Sequence, residues 1–350
     1  MSLKKTDKSA KPNKNWKRST LIILCAVLSV ILVVLIGITA YVEYQAGRMG
    51  DLDNSTLSQD EIDSILNGET GTGPQMDDAD VNFGDDPTEI VEGEHIINIL
   101  LVGQDRRKGQ GRQRSDAMIL CTLNTDTKKL TMTSFLRDMY VQIPGYRNSK
   151  INACYQIGGA ALLNECLKVN FGVEVDHNVE VDFEGFMDLI DLVGGVEIEL
   201  TGDEAGYLNR RGNWDVTGND GWTLKKGVNN LTGSQALAYS RIRAIGTDFG
   251  RTDRQRKVLT ALLEKTKDLS LSQITKLIDQ AMPLIATDMQ MSDIVGYATE
   301  LVKMFSELEV ESLRIPADGT YSFADLKGAG DSIVLDFDTN RKLLADALTE

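Results

Sequence analysis

The chain has 350 residues, 42% of them hydrophobic, 25% charged and only 6% aromatic, with a formal net charge of -15. That length supports one large domain or two small ones. The acidic balance, with no aromatic residues interleaved among basic ones, excludes the usual nucleic-acid-binding surface.

The N-terminal residues 1–19 carry Lys4, Lys5, Lys8, Lys11, Lys14, Lys17 and Arg18. The run at 21–42, LIILCAVLSVILVVLIGITAYV, has no charge. About 20 apolar residues span a bilayer core. A cleaved signal peptide has a shorter apolar region, of roughly 7–15 residues, and a small-x-small exit, which this run lacks. Residues 20–42 therefore read as an uncleaved transmembrane anchor. The positive-inside rule makes 1–19 a cytoplasmic tail and places the remainder outside a single-pass cell-membrane protein.

Residues 49–95 hold fourteen Asp or Glu and no Lys or Arg. Segment 43–94 reads as an acidic, solvated linker. Within it Ser58 and Glu61 fit a capping box, and Ile62, Ile65 and Leu66 form a small stripe, so a short helix fits at 58–66. The folded domain is predicted over 95–350.

The predicted strands are 96–102, 116–123 and 129–136, the last two joined as a hairpin. A helix is predicted at 153–169, a strand at 179–183, a helix at 184–193 stopped by Gly194-Gly195, and a strand at 196–200. Residues 202–230 are polar and Gly-rich and read as a long excursion. Helices follow near 234–241, 251–268, 271–282 and 291–306, then a strand near 310–315 and a helix near 339–348. Alternating strands and helices predict one α/β (α-β-α) extracellular domain with a central mixed sheet flanked by helices.

Cys25 falls in the predicted span, and Cys121, Cys154 and Cys166 would be exported. On one straight helix Cys154 and Cys166 would be ~18 Å apart. A disulfide needs Cα atoms roughly 4.4–6.8 Å apart. The three are read as small buried residues, with no disulfide inside that helix and at most one elsewhere, since three cysteines cannot all pair within one chain.

Only His95 and His177 are present, which excludes His-rich zinc sites and argues against a Ser-His-Asp triad. There is no G-x-S-x-G, H-E-x-x-H or complete G-x-x-x-x-G-K-[ST]. His177 reads as a structural hydrogen-bonding group. What the chain does have is charge concentrated in three loops. The first holds Asp105, Arg106, Arg112, Arg114 and Asp116; the second holds Arg137 and Asp138. The third places Arg241, Arg243, Arg251, Arg254 and Arg256 within sixteen residues. Arginine presents a fixed fork of donors to phosphate oxygens and stays charged. Ligands of α/β sheets sit in the crevice at strand ends, where the three loops can converge. Arg251 and Gln255 share a helix face, while Arg254 lies ~300° from Arg251, at its edge. Two carboxylates among arginines suit Mg²⁺ (or Mn²⁺) bridging phosphates, with Asp105 and Asp116 as candidate ligands.

The segments NILLVGQD, RSDAMIL, SFLRDMYVQIPG, KINACYQIGG, HNVEVDFEGFMDLIDLVGGVEIEL, LTGSQALAYSRIR and DFGRTDRQRKVL, in this order, resemble the LytR-CpsA-Psr family. The resemblance covers roughly 95–262. It implies a phosphotransferase that moves a glycopolymer, such as a teichoic acid or capsular polysaccharide, from an undecaprenyl-pyrophosphate carrier to peptidoglycan with Mg²⁺. It implies metal ligation by Asp105 and Asp116. Arg114, Arg137, Arg241, Arg243 and Arg251 would clamp the pyrophosphate, supported by Gln255 and Asp248. Catalytic roles would fall to Arg137, Arg241, Arg243 and Asp248, and the prenyl chain would lie in an apolar tunnel. The competing readings are a pyrophosphatase acting on the carrier, and a membrane-anchored envelope regulator or binding protein. A tail of 19 residues is too short for a DNA-binding domain, which counts against direct regulation.

Overall fold

The computed structural model describes residues 50–55, 57–71, 73–85, 95–106, 110–210, 221–246 and 248–349. The predicted tail and membrane span lie outside the described residues, as do 43–49 and 86–94 of the predicted linker. Among the described residues no helix is long and apolar enough to cross a membrane.

The described residues open with α1 (Gln59–Asn67) and β1 (Gln75–Met76), then run through β2 (Ile96–Gln104), β3 (Ser115–Asn124) and β4 (Lys129–Phe135). The short β5 (Tyr140–Val141) and β6 (Ser149–Lys150) lead into α2 (Ile151–Phe171), β7 (His177–Asp182), α3 (Phe183–Leu192) and β8 (Val196–Leu200). Next come α4 (Gly202–Leu208), β9 (Gly227–Leu231), α5 (Gly233–Ser240), α6 (Asp248–Thr266), α7 (Leu271–Ala281), β10 (Ala286–Thr287) and α8 (Met291–Met304). The chain closes with β11 (Glu309–Ile315), β12 (Tyr321–Leu326), β13 (Gly330–Leu335) and α9 (Phe337–Thr349). Among the described residues six strands form the central sheet, in the order β10-β7-β2-β3-β4-β11. The pairs β7/β2 and β4/β11 are parallel and the others antiparallel, so the sheet is mixed as expected.

Period-two alternation divides the sheet residues between two compartments. Leu100, Met118 and Leu120 are buried with α2 and α9 in the larger core. Leu101, Ala117, Ile119, Val179 and Val181 line a cavity beneath α3, α5 and α6. A second core of α3 to α6, β8 and β9 closes that side, built on Ile190, Leu231, Tyr239, Ile242 and Val258. The region read as an excursion at 202–230 thus contributes a helix and a strand: Thr201 and Glu204 cap α4, and β9 pairs with β8.

Two expectations are corrected here. The first is the straight helix. Gly158 (φ -130°, ψ 15°) and Gly159 (φ 66°, ψ -155°) break α2 into two limbs. Gly159 lies in the left-handed region that favours glycine, and a Cβ there would meet the Asp53 carbonyl oxygen and Asn54 Oδ1 at 2.5 Å. The kink brings Cys154 Sγ and Cys166 Sγ to 2.7 Å, so the 18 Å estimate does not apply.

The second is the linker. α1 is capped by the Ser58/Glu61 box, and Ile62 and Leu66 are each only 3% exposed in the main core. Its carboxylates find partners: Asp53 pairs with Arg112 at 3.3 Å, Glu69 Oε2 accepts from Lys150 Nζ at 2.5 Å, and Asp78 Oδ1 accepts from Tyr140 Oη at 3.0 Å. The acidic composition does not mean a solvated spacer here, because the basic residues it neutralises come later in the sequence. The folded domain begins well before residue 95. If α1 is part of the core, Leu66→Ala will lower unfolding stability by about 2–5 kcal/mol in a denaturant titration. A solvated helix would give a change near zero.

Candidate active site

A cavity of about 630 Å³ opens between β2, β3 and β7 and the helices α3, α5 and α6. One end is charged, with Asp105, Asp116, Arg241, Arg243, Arg251 and Gln255 in its wall. The rest is apolar. A single face of α6 carries both characters: Arg251 and Gln255 are followed by Val258, Leu259 and Leu262, all lining the cavity. From Arg251 to Leu262 is roughly 16 Å along a helix axis.

The two carboxylates reach the charged end through an irregularity in the ladder. Gly103 faces Ala117, but Gln104 faces Ser115, so Asp116 is the extra residue of a bulge. A bulge re-aims a side chain that regular pleating would place elsewhere. Asp105 follows at the end of β2. Arg241 Nη2 lies 3.9 Å from Asp105 Oδ2, and Arg243 Nη2 lies 4.0 Å from Asp116 Oδ1. These are ion-pair separations beyond hydrogen-bond length. Exposed pairs of this kind contribute roughly 0–1 kcal/mol, so the fold does not depend on them.

Ile242, fully buried, anchors the segment between Arg241 and Arg243. Arg241 ends α5, with its N–H on the Leu237 and Ala238 carbonyls, and its guanidinium stacks 4.6 Å from the Phe183 ring centroid. The segment is held from behind by Arg254. Its Nε donates to Glu204 Oε1 at 2.8 Å, and its Nη atoms donate to the Ile242 and Ile245 carbonyls at 3.1 and 2.8 Å. Burial acts to raise the Glu204 pKa, but hydrogen bonds from Thr201 and Arg254 outweigh it and hold the carboxyl below its ordinary value. Arg254, predicted at the edge of the α6 face, is thus a positioning residue for the 241–246 loop. Arg256 is also nearly buried, 3.6 Å from Asp253, and is not in the cavity wall.

Three expected ligand-binding residues stand differently. Arg114 is not in the cavity wall: it pairs with Glu69 and donates to Gln156 Oε1 at 3.3 Å, so it braces α1 and α2. The segment assumed to be a spacer supplies that competing carboxylate. Arg137 lies just behind the wall, donating to Asp116 Oδ1 at 2.6 Å and to Asp138 Oδ2 at 3.3 Å. Asp248 begins α6, and its side chain lies outside the described ones. Sequence reading also passed over Glu180. Its nearly buried carboxylate accepts from Tyr155 Oη, from Gln104 Nε2 at 2.5 Å, and pairs with Arg106 at 3.1 Å. It fixes the end of β2 from beneath. Glu180 sits within the alternation of β7, which gave no signal for such a role.

Among the described residues no group of three or more His, Cys, Asp or Glu could hold a metal on its own. Asp105 and Asp116, in one wall, form a two-carboxylate oxygen set. That donor set fits Mg²⁺ when phosphate oxygens and water complete the octahedron.

A mixed sheet carries guanidinium groups at one end of a largely apolar cavity, an arrangement that can receive an amphiphile with an anionic head. The profile of the LytR_cpsA_psr family matches residues 69–334, and the chain belongs to that family. It is 30% identical over 264 residues to Regulatory protein MsrR of Staphylococcus aureus, covering 74% of this chain and 76% of the relative. It is 31% identical over 217 residues to the polyisoprenyl-teichoic acid--peptidoglycan teichoic acid transferase TagU of Enterococcus faecalis, covering 61% of this chain and 66% of that one. Among solved structures, TagT bound to LI-WTA (TagT being a Bacillus subtilis protein) superposes with a TM-score of 0.60 at 25% identity, over 77% of this chain and 96% of that one.

Glu204→Gln will leave the Arg254 charge buried without its counter-charge, at a cost of about 3–5 kcal/mol. Because the folded-state pKa of Glu204 is lowered, its contribution is present above the unfolded value of roughly 4.3 and is lost as pH falls through the folded value. Melting curves from pH 7 down to pH 3 should show wild type and variant converging at the acid end; a pH-independent gap would contradict the assignment.

Proposed function

We propose that the protein transfers a glycopolymer from a polyprenyl-diphosphate carrier to peptidoglycan on the outer face of the cell membrane, forming a phosphodiester. The observation that carries this reading is the cavity itself: arginines at one end, and a lining that changes along about 16 Å of α6 from Arg251 and Gln255 to Val258, Leu259 and Leu262. It is supported by the similarity to TagU, a teichoic acid transferase, over 66% of that protein's length. A prenyl chain buries its methylene and methyl groups against Leu101, Ile119, Phe186, Val258, Leu259 and Leu262, and the diphosphate is left at the charged mouth.

There Arg241, Arg243 and Arg251 neutralise the diphosphate oxygens. Arg241 and Arg243 lie at ion-pair rather than hydrogen-bond distance from Asp105 and Asp116, so both can turn their forks to phosphate. Asp105 and Asp116 would hold Mg²⁺, which when bound supplies further neutralisation of the diphosphate charge. Arg137 holds Asp116 in place and adds positive potential behind it. An acceptor hydroxyl of peptidoglycan attacks the phosphorus that bears the sugar. The new O–P bond forms, the bond to the bridging oxygen breaks, and polyprenyl phosphate leaves, the acceptor's proton passing to the departing phosphate or to water. Such a reaction depends on positioning and on stabilising charge, which fixed arginines provide.

Arg241→Ala and Arg137→Ala should each lower transfer at least about 100-fold while circular dichroism stays unchanged. Full activity in both variants would overturn the reading, and release of polyprenyl phosphate without any acceptor product would make the enzyme a pyrophosphatase instead. Leu259→Asp places a charge in the tunnel. Mass spectrometry of the purified variant should find copurified polyprenyl phosphate depleted at least tenfold relative to wild type.

A further inference from the structure

Cys154 and Cys166 lie outside the cavity, on the two limbs of the kinked α2, and both are fully buried. The break at Gly158 and Gly159 brings their sulfurs to 2.7 Å. The structure holds both as thiols. Yet this separation is no longer than an O–H···O hydrogen bond between much smaller atoms, and it is within about 0.7 Å of the roughly 2.05 Å of a disulfide. The third cysteine, Cys121, stands in the middle of β3, where its ladder neighbours are Ile99 and Met132.

We propose that Cys154 and Cys166 are joined as a disulfide in the exported protein, clipping the two limbs of α2 together across the glycine kink. The inference uses the extracellular placement given above, where disulfides persist, but not the transfer reaction. The bond forms by exchange with an oxidised dithiol oxidoreductase or a small-molecule disulfide. One cysteine thiolate attacks the donor S–S bond, giving a mixed disulfide and releasing one thiol. The second cysteine then displaces the other. Two protein thiols are oxidised, the donor disulfide is reduced to two thiols, and the protons pass to those thiols.

Burial makes this a folding event. Desolvation, reinforced by the neighbouring Cys154, pushes the Cys166 thiol well above its usual range. The attacking thiolate is therefore scarce once the core has closed. The bond forms while the chain folds, and afterwards the same burial shields it from reductant.

The clip bears on the site through what the first limb carries. Arg112 Nε donates to the Gln156 carbonyl at 3.1 Å and Nη2 donates to the Ile157 carbonyl at 2.8 Å, while Gln156 Oε1 accepts from Arg114 at 3.3 Å. Tyr155 Oη donates to Glu180, which secures Gln104 and Arg106. The short limb is thus the platform for the loop that follows Asp105, and two glycines would otherwise be its joint to the rest of α2.

The test uses the full chain extracted from its own cell membranes into an acid quench. After denaturation it is alkylated with a mass-tagged maleimide, with and without reductant. The expected result is two tags before reduction, on Cys25 and Cys121, and four after it. Trypsin releases residues 151–168 as one peptide holding both cysteines. That peptide should be lighter than the dithiol form by two hydrogens. Four tags without reductant, or a bond that includes Cys121, would overturn the proposal. Refolding the protein in reductant gives an independent reading: its Tm should fall to that of a Cys154→Ala/Cys166→Ala variant, whereas Cys121→Ala should retain the sensitivity to reductant. An unchanged Tm after reductive refolding would equally overturn it.

Discussion

An arginine side chain does not lose its charge, so each guanidinium this chain draws inward must be met by carboxylates or carbonyls. That constraint organises the domain. Arg112 and Arg254 show how it is met. Arg112 is surrounded by the carbonyls of Ser55, Gln156 and Ile157 and by Asp53, and so ties the N-terminal segment to the kinked helix. Arg254 spends its donors on Glu204 and on the Ile242 and Ile245 carbonyls, and so shapes the loop that carries Arg241 and Arg243. Arg241, Arg243 and Arg251, by contrast, line the cavity.

The cavity depends on a second device, the deliberate breaking of regular structure. The bulge between Gly103 and Gln104 sets Asp116 out of the ladder, and the Gly158–Gly159 kink turns the first limb of α2 so that Gln156 meets the basic loop. Close approach of elements matters as much. A Cβ on Gly233 would collide with the Met187 carbonyl, so α5 can lie directly against α3 and deliver Arg241 to the cavity. The result is a gradient along α6 from Arg251 and Gln255 to Val258, Leu259 and Leu262, as the proposed lipid-linked diphosphate would require of its head and tail.

Much of this was readable in advance. The strands β2, β3 and β4 follow from short β-branched runs bounded by turns, and the shared face of Arg251 and Gln255 follows from helical spacing alone. The convergence of Asp105, Asp116, Arg241 and Arg243 was expected from their places at element ends, and these residues do line one cavity. Arg114 was misplaced because its partner, Glu69, sits 45 residues upstream in a segment whose composition resembles a solvated spacer. The β12–β13 hairpin and the role of Glu180 gave no sequence signal, since each depends on which residues lie across a ladder or beneath a strand end.

Local regularities were decided by the sequence itself: which segments are strands or helices, where Ser58, Thr201 and Thr232 cap them, and which face of α6 is charged. These depend on neighbours within a few residues, where periodicity and capping chemistry operate. Only the tertiary structure decided which arginines are consumed by the fold and which face the cavity. It also decided that an acidic segment belongs to the core, and that two cysteines twelve residues apart touch. The physical reason is that charge compensation and close packing act between atoms adjacent in space, and those adjacencies are set by a bulge, a kink and a crossing of helices rather than by distance along the chain.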